Sequence, residues 1–329
     1  MADDERDNER FYVQTEPSSR SQEEFRVGSS QSDVQIELEY LPTVNFAVQQ
    51  NSESIFKTLT IANNSNRRLE NLRVEIKTEP NFLTRQVILI DRIDPGLRYR
   101  QDKFVDSFNF KLLSELTERV KGGIKIEVAE RSRESRSYAP IVFAQYPVAL
   151  LPCNQWVGLN EEPALLAAYV TPNLSEIAYL SSAASDALRR MDQNGALTGY
   201  SSYDREKIYA FVQAVYEAVA EQGIEFANCA PSFEETGQRI RTVEKILDEK
   251  LANCLDLSLL FASVFENIGL NSLIILLRGH AFVGVHLIDD QFPNSFIDDL
   301  PSLRKNVDAE RIAVFESTSA TRVFRSPRP

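Results

Sequence analysis

Thiol and imidazole groups are scarce in this 329-residue chain: three cysteines and two histidines. Cys153, Cys229 and Cys254 show no Cys-x-x-Cys spacing, so they make no disulfide framework, and with two histidines they make a poor zinc site. Cys254 stands apart because of what surrounds it. It opens the run LANCLDLSLLFASVFENIGLNSLIILLRGHAFVGVHL, Leu251 to Leu287. Apolar residues fall nearly all the way round between Leu255 and Ile268, which predicts a buried helix. Asn253 is placed to cap its start and Gly269 to end it. A cysteine at a helix N-terminus meets unpaired N–H groups and the positive end of the dipole, which favour thiolate over thiol. A nearby histidine would complete an activated nucleophile.

His280 and His286 are the two candidates, six residues apart, and an even separation puts both on one face of a strand. Ser272–Leu277 and Ala281–Leu287 read as two strands joined through Arg278-Gly279-His280. His280 therefore opens the second strand, beside a flexible glycine, where it can face the start of the Cys254 helix. His286 reads as a strand residue with a satisfied partner. A lone cysteine on an apolar helix is ordinarily packing. The joint pattern of helix-start cysteine, two strands and a strand-start histidine is what points to acyl transfer.

The elements that would position these groups fall into three segments. From Met1 to Asp33 there are nine acidic residues and four arginines, −5 of the chain's net −12, with Ser, Gln and Asn making up much of the rest. Such a stretch cannot bury enough apolar surface to order itself, and 1–33 is expected to be a disordered acidic tail. From Val34 to Leu150 apolar residues alternate with polar ones in short runs, including Phe104 to Phe110. Turn signals such as Asp94-Pro95-Gly96 and Gly122-Gly123 separate them. This predicts an antiparallel β-sandwich over 34–150, with one short helix near Leu112–Glu118. Pro147–Pro163 reads as the junction to a second domain, 151–329. There the period turns helical, as in Ile208, Phe211, Val212, Val215, Tyr216 and Val219. Cys153 near Trp156 reads as junction packing and Cys229 as a bystander, while Arg131, Arg133 and Arg136 read as a solvated hairpin turn.

Composition excludes several classes. With 43 % hydrophobic and 26 % charged residues the chain is globular, and its acidic balance argues against direct nucleic-acid binding. No window approaches the ~20 apolar residues of a membrane span. The acidic start lacks the pattern of a signal peptide, so the expected location is cytoplasmic. No Gly-rich phosphate loop is present. Neither a metal nor an organic cofactor is implied.

The run CLDLSLLFASVFENIGLNSLIILLRGHAFVGV resembles the core of the transglutaminase-like superfamily of papain-fold cysteine enzymes. His-Ala-Phe-Val stands where relatives carry His-Ala-Trp-Val. The resemblance implies an α+β papain-like domain over 151–329, with Cys254 as nucleophile, His280 as base, and an acid on the following strand to orient the imidazole. RIAVFEST, Arg311–Thr318, resembles the strand that carries this acid, which would make it Glu316. Asp298 and Asp299 lie nearer in sequence and are alternatives, since 36 residues (316 − 280) separate Glu316 from His280 and Asp290–Glu310 would be an insertion. By analogy with papain-fold enzymes, Gln238, in a loop with Phe233-Glu234-Glu235-Thr236-Gly237, could donate to an oxyanion, beside the Cys254 N–H.

The match extends to the segment PSFEETGQRIRTVEKILDEKLANCLDLSLLF and to the strand-rich half. Together they resemble the front part of large bacterial proteins with an immunoglobulin-like domain, a transglutaminase-like cysteine protease domain, and helicase and nuclease modules. That family is named only as a domain of unknown function. The resemblance implies an immunoglobulin-like sandwich, a cysteine peptidase acting on protein or peptide, and a bacterial anti-phage defence or regulatory setting with a separately encoded effector or sensor as partner. Transfer of the acyl group to an amine (as in a transglutaminase), cleavage of another amide, and a catalytically inert adaptor are the other readings.

Overall fold

The structure is a computed structural model that describes residues 33–46, 54–132, 136–159, 163–191, 194–202, 204–227 and 237–322. The expected acidic tail apart from Asp33, Cys229, Arg133 and the loop at 233–236 lie outside the described residues. The chain mixes helices with several sheets and divides into two compact units, Ser18–Gln155 and a second that runs from Trp156.

In the first unit the strands are β1 (Val34–Tyr40), β2 (Thr43–Val44), β3 (Phe56–Asn63), β4 (Leu69–Glu79), β5 (Gln86–Ile93), β6 (Arg98–Gln101), β7 (Val120–Arg131) and β8 (Tyr138–Leu150). A short helix, α1 (Phe110–Glu115), precedes β7. One sheet has the order β1-β3-β6, the other β2-β8-β7-β4-β5. All pairs are antiparallel except β2 with β8. The period-two pattern explains the strands. Ile124, Ile126 and Val128 on β7 are fully buried, as are Leu59 and Ile61 on β3. The Tyr146 hydroxyl on β8 donates to Ile36 O on β1 at 2.8 Å, and Tyr40 donates back to Pro147 O at 2.6 Å, tying the two sheets together.

Phe104–Phe110 forms no strand. Its side chains alternate between half-buried and exposed as far as Asn109, Phe110 opens the short helix, and pairing is confined to one bridge, Leu83 with Phe108. The Asp106 carboxylate draws the segment aside, accepting from Ile55 N at 2.7 Å and from the Ser54 hydroxyl at 3.0 Å. Residues 151–155, expected in the second domain, stay with the first unit because their backbone bonds back to it. Leu151 N donates to Val44 O at 2.8 Å and Cys153 N to Leu116 O at 2.9 Å.

After the boundary strand β9 (Gln155–Trp156), the second unit holds α2 (Ser175–Arg190), α3 (Arg205–Ala220), β10 (Glu225–Phe226), β11 (Gln238–Arg239), α4 (Val243–Glu249), β12 (Leu251–Ala252) and α5 (Cys254–Asn267). β13 (Ser272–Leu277), β14 (His280–His286), α6 (Leu300–Asp308) and β15 (Ile312–Phe315) complete it. β13, β14 and β15 form an antiparallel sheet in that order, one face of which packs on α5 through Val283 and Val285. Every residue of α5 from Cys254 to Phe265 is buried, because α2, α3 and the sheet surround the helix. Among the described residues no helix is long and apolar enough to cross a membrane.

Candidate functional site

The start of α5 is fixed by reciprocal hydrogen bonds. Asn253 Oδ1 accepts from Asp256 N at 2.9 Å, and Asp256 Oδ2 accepts from Asn253 N at 3.1 Å, a capping box that settles the first turn. Asp256, with no exposed surface, also accepts from Arg241 N at 2.8 Å and pairs with Arg241 Nη1 at 3.1 Å. This fastens the segment after β11 to the helix start.

Cys254 is the first helical residue, 9 % exposed. Its sulfur faces the N–H groups of Ala281, Leu255 and Cys254 itself. Sequence reasoning expected these donors to favour the thiolate. The structure reverses that: burial pushes the Cys254 thiol up, the three N–H groups pull it down by less, and the Glu316 charge adds to the rise. At rest the group is a thiol.

The sheet brings the imidazole to the acid, and the backbone N–H of the next residue to the sulfur. His280 is the first residue of β14, paired with Leu277 across a tight turn in which Gly279 takes a φ of 71°. Ala281, whose N–H meets the sulfur, is the next residue. The β14–β15 register pairs Val283 with Phe315 and Gly284 with Val314. Carried one residue further it sets Glu316 opposite Phe282 and diagonal to His280, on the same face. The His280 Nε2 to Glu316 Oε2 distance is 2.6 Å.

Phe315 holds the end of β15 in place. Its ring packs edge-on to Phe261 and Phe265 of α5 and to Tyr216 of α3, with centroids 5.1, 6.2 and 5.8 Å apart. The 3₁₀ turn Ser317–Ala320 is bonded to the helix start, the Ser258 hydroxyl lying 2.8 Å from Cys254 O and 3.1 Å from the Ser317 hydroxyl. Glu316 Oε1 accepts from Thr318 N at 2.9 Å and from the Thr318 hydroxyl at 2.7 Å. Burial pushes the Glu316 carboxyl up, but these two bonds and His280 outweigh it and hold the group below its ordinary range.

The alternative acids are placed elsewhere. Asp299 caps α6, accepting from Ser302 N at 3.0 Å, and Asp298 is exposed beside it. The expected insertion, Asp290–Glu310, is closed at its base by Arg311, whose Nη2 lies 2.7 Å from Asp290 Oδ2. Gln238, expected in a loop, is on β11 and buried, and its Oε1 has no hydrogen-bond partner among the described residues. His286 is not the satisfied residue that the strand pattern suggests. It is 4 % exposed, its Nε2 has no partner among the described residues, and Phe292 packs at a steep angle to the ring with centroids 5.4 Å apart. Burial pushes its pKa down, so it stays neutral. Asp256 escaped sequence reasoning although Asn253-x-x-Asp256 carries the spacing of a capping box. Among the described residues no group of His, Cys, Asp and Glu is placed to hold a metal ion.

No family model matches this chain, and no curated protein matches it. Among solved structures it is similar to native alpha-2-macroglobulin from Escherichia coli, from domain MG7 to the C-terminus, at 13 % identity and a TM-score of 0.26. The match covers 72 % of this chain and 39 % of that one, and at this depth it carries no argument. The chemistry rests on the geometry of the chain itself.

Proposed function

We propose that the second unit is a transglutaminase-like, papain-fold domain and that the protein is a cysteine peptidase working through a thiol acyl-enzyme. The observation that carries this reading is the 2.6 Å His280–Glu316 bond, with the N–H of the next residue, Ala281, facing the Cys254 sulfur. Glu316 holds Nε2, which leaves Nδ1 to take a proton. As the sulfur attacks the peptide carbonyl carbon, the thiol proton passes to Nδ1. The oxyanion is met by the Cys254 N–H, with the Gln238 amide as a second donor. Collapse breaks the C–N bond, and the imidazolium protonates the departing amine. Water, deprotonated by the same imidazole, then attacks the thioester. The C–S bond breaks and the sulfur recovers its proton. An amine in place of water gives the transglutaminase outcome with the same three residues. The immunoglobulin-like sandwich of the first unit and the anti-phage or regulatory setting with a separate effector belong to this reading through the family resemblance, and a cytoplasmic location is proposed with them.

The test is alkylation of each cysteine by iodoacetamide against pH, read by peptide mass spectrometry, in wild type and His280→Ala. A buried thiol deprotonated by His280 should react faster in wild type than in the variant near pH 7. The gap should close well above the ordinary thiol pKa of ~8.5, where hydroxide does the same work. Cys153 and Cys229 should respond identically in both proteins. Superimposable Cys254 profiles would leave an inert adaptor as the better reading.

A further inference from the structure

Beyond His280 and Glu316, the outward face of the three-stranded sheet has a stretch that the proposed chemistry leaves unused. His286 N donates to Asn271 O at 3.0 Å, which fixes the alternation of the β13–β14 ladder. Leu273, Ile275 and Leu277 bond to β14 and stand opposite Gly284, Phe282 and His280. Those residues, with Val314 across Gly284 on β15, share the face that carries His280. Leu273, Ile275, Leu277 and Phe282 are half-buried and Val314 is 37 % exposed.

Gly284 keeps this floor continuous. A Cβ there would lie 3.2 Å from Val314 Cγ1 and 3.3 Å from Ile275 Cδ1, so the two side chains close over the glycine. At one end the floor runs directly into the candidate site, the Phe282 ring lying nearly parallel to that of His280 with centroids 6.3 Å apart. The three strands contain no Asp, Glu, Lys or Arg, in a chain with 26 % charged residues and a net charge of −12. Solvent-facing sheet faces are ordinarily polar.

The same alternation turns the N–H and C=O groups of Ser272, Ile274 and Leu276 away from β14. The Ser272 N–H is met by Glu266 Oε1 at 3.0 Å. The main-chain groups of Ile274 and Leu276 find no partner among the described residues. β13 is thus an open edge carrying two donors and two acceptors.

We propose that this face and edge form a substrate platform, on which an extended peptide with aliphatic or aromatic side chains docks beside His280. The open edge calls for a strand, and the uncharged floor for apolar side chains. Continuity with His280 makes that strand a stretch of the substrate. The assignment rests on the peptidase reading and names the substrate class of that site.

The test uses the full chain carrying Cys254→Ala, so that peptide is bound and not cleaved. Two fluorescein-labelled peptides, one alternating Leu with Ser and one alternating Glu with Ser, are titrated by fluorescence anisotropy. The Leu peptide should bind, the Glu peptide should not, and Ile275→Glu or Val314→Glu should each weaken binding by about tenfold or more. Circular dichroism checks both variants; if Ile275→Glu fails to fold, the test passes to Val314→Glu at its more exposed site. With Cys254 restored, both variants should keep the wild-type alkylation rate of Cys254. Binding indifferent to side-chain type, or to both substitutions, overturns the platform whatever the alkylation result. Binding that follows the expected pattern while Cys254 lacks His280-dependent reactivity overturns the peptidase reading and leaves the platform as a peptide site. A dimer in sedimentation that Val314→Glu dissociates overturns the assignment in favour of a second copy of the chain.

Discussion

On the peptidase reading, Glu316→Gln is expected to lower kcat/KM for hydrolysis of fluorescein-labelled casein by about 10⁴, although the two side chains have almost the same shape. Glu316 Oε1 is committed to two donors, the N–H and the hydroxyl of Thr318. In the amide, the one remaining acceptor must stay with Thr318, so the nitrogen takes the place of Oε2 and points its hydrogens at His280 Nε2. Nε2 then has to accept, the imidazole hydrogen moves to Nδ1, and the base that should receive the thiol proton is already protonated. A loss of this size is the scale for a carboxylate-to-amide exchange in a nucleophile–His–acid triad. Acid stability should change too. Because the folded carboxyl titrates below its ordinary value, it stabilises the fold above the unfolded pKa of ~4.3. That contribution is lost as pH falls through the folded pKa, and the variant should lack that part of the acid transition. Full activity in Glu316→Gln would remove Glu316 from the mechanism.

Asp256→Ala is expected to destabilise the second unit by about 3 kcal/mol. Breaking a buried, hydrogen-bonded ion pair costs ~3–5 kcal/mol, and the lower end applies because the Arg241 side chain is 28 % exposed and can rehydrate. The loss would strand the N–H groups of Asn253 and Arg241, which Asp256 now satisfies at 3.1 and 2.8 Å. For a unit of this size the midpoint should fall by about 6–12 °C. Asp256→Asn keeps the shape and one acceptor and should cost about half as much. Differential scanning calorimetry distinguishes the two, and an Asp256→Ala midpoint within a degree of wild type would show that the helix start is held by something else.

Local chemistry was readable where one residue type had one job. Asn253 reads as a cap, Gly279 as a turn, and the even spacing of β14 sets His280 and His286 on one face. What the chain hid was context supplied by distant elements. The ionisation of Cys254 depends on how completely α5 is enclosed, and burial outweighed the helix-end donors that sequence reasoning relied on. His286 matched a strand position, but whether its ring finds a partner depends on segments such as that of Phe292, which arrives from elsewhere in the chain. Phe104–Asn109 keeps its alternation without a ladder, its Asp106 carboxylate bonded to Ile55 N and the Ser54 hydroxyl, contacts that no periodicity encodes. Glu316 could be singled out only by resemblance, since 36 residues part it from His280 and two nearer aspartates compete. The β14–β15 register and the Phe315 packing are what set it diagonal to the imidazole.

The enclosure of α5 also governs how this protein can vary. On a surface helix, tolerance to substitution rises and falls every three to four residues, and the permissive positions let a lineage drift. From Cys254 to Phe265 that rhythm is absent, because every residue is buried. Even Ser258 and Ser263 return their hydroxyls to the carbonyls of Cys254 and Leu259, at 2.8 Å each. The helix that bears Cys254 therefore changes only together with the helices and strands around it.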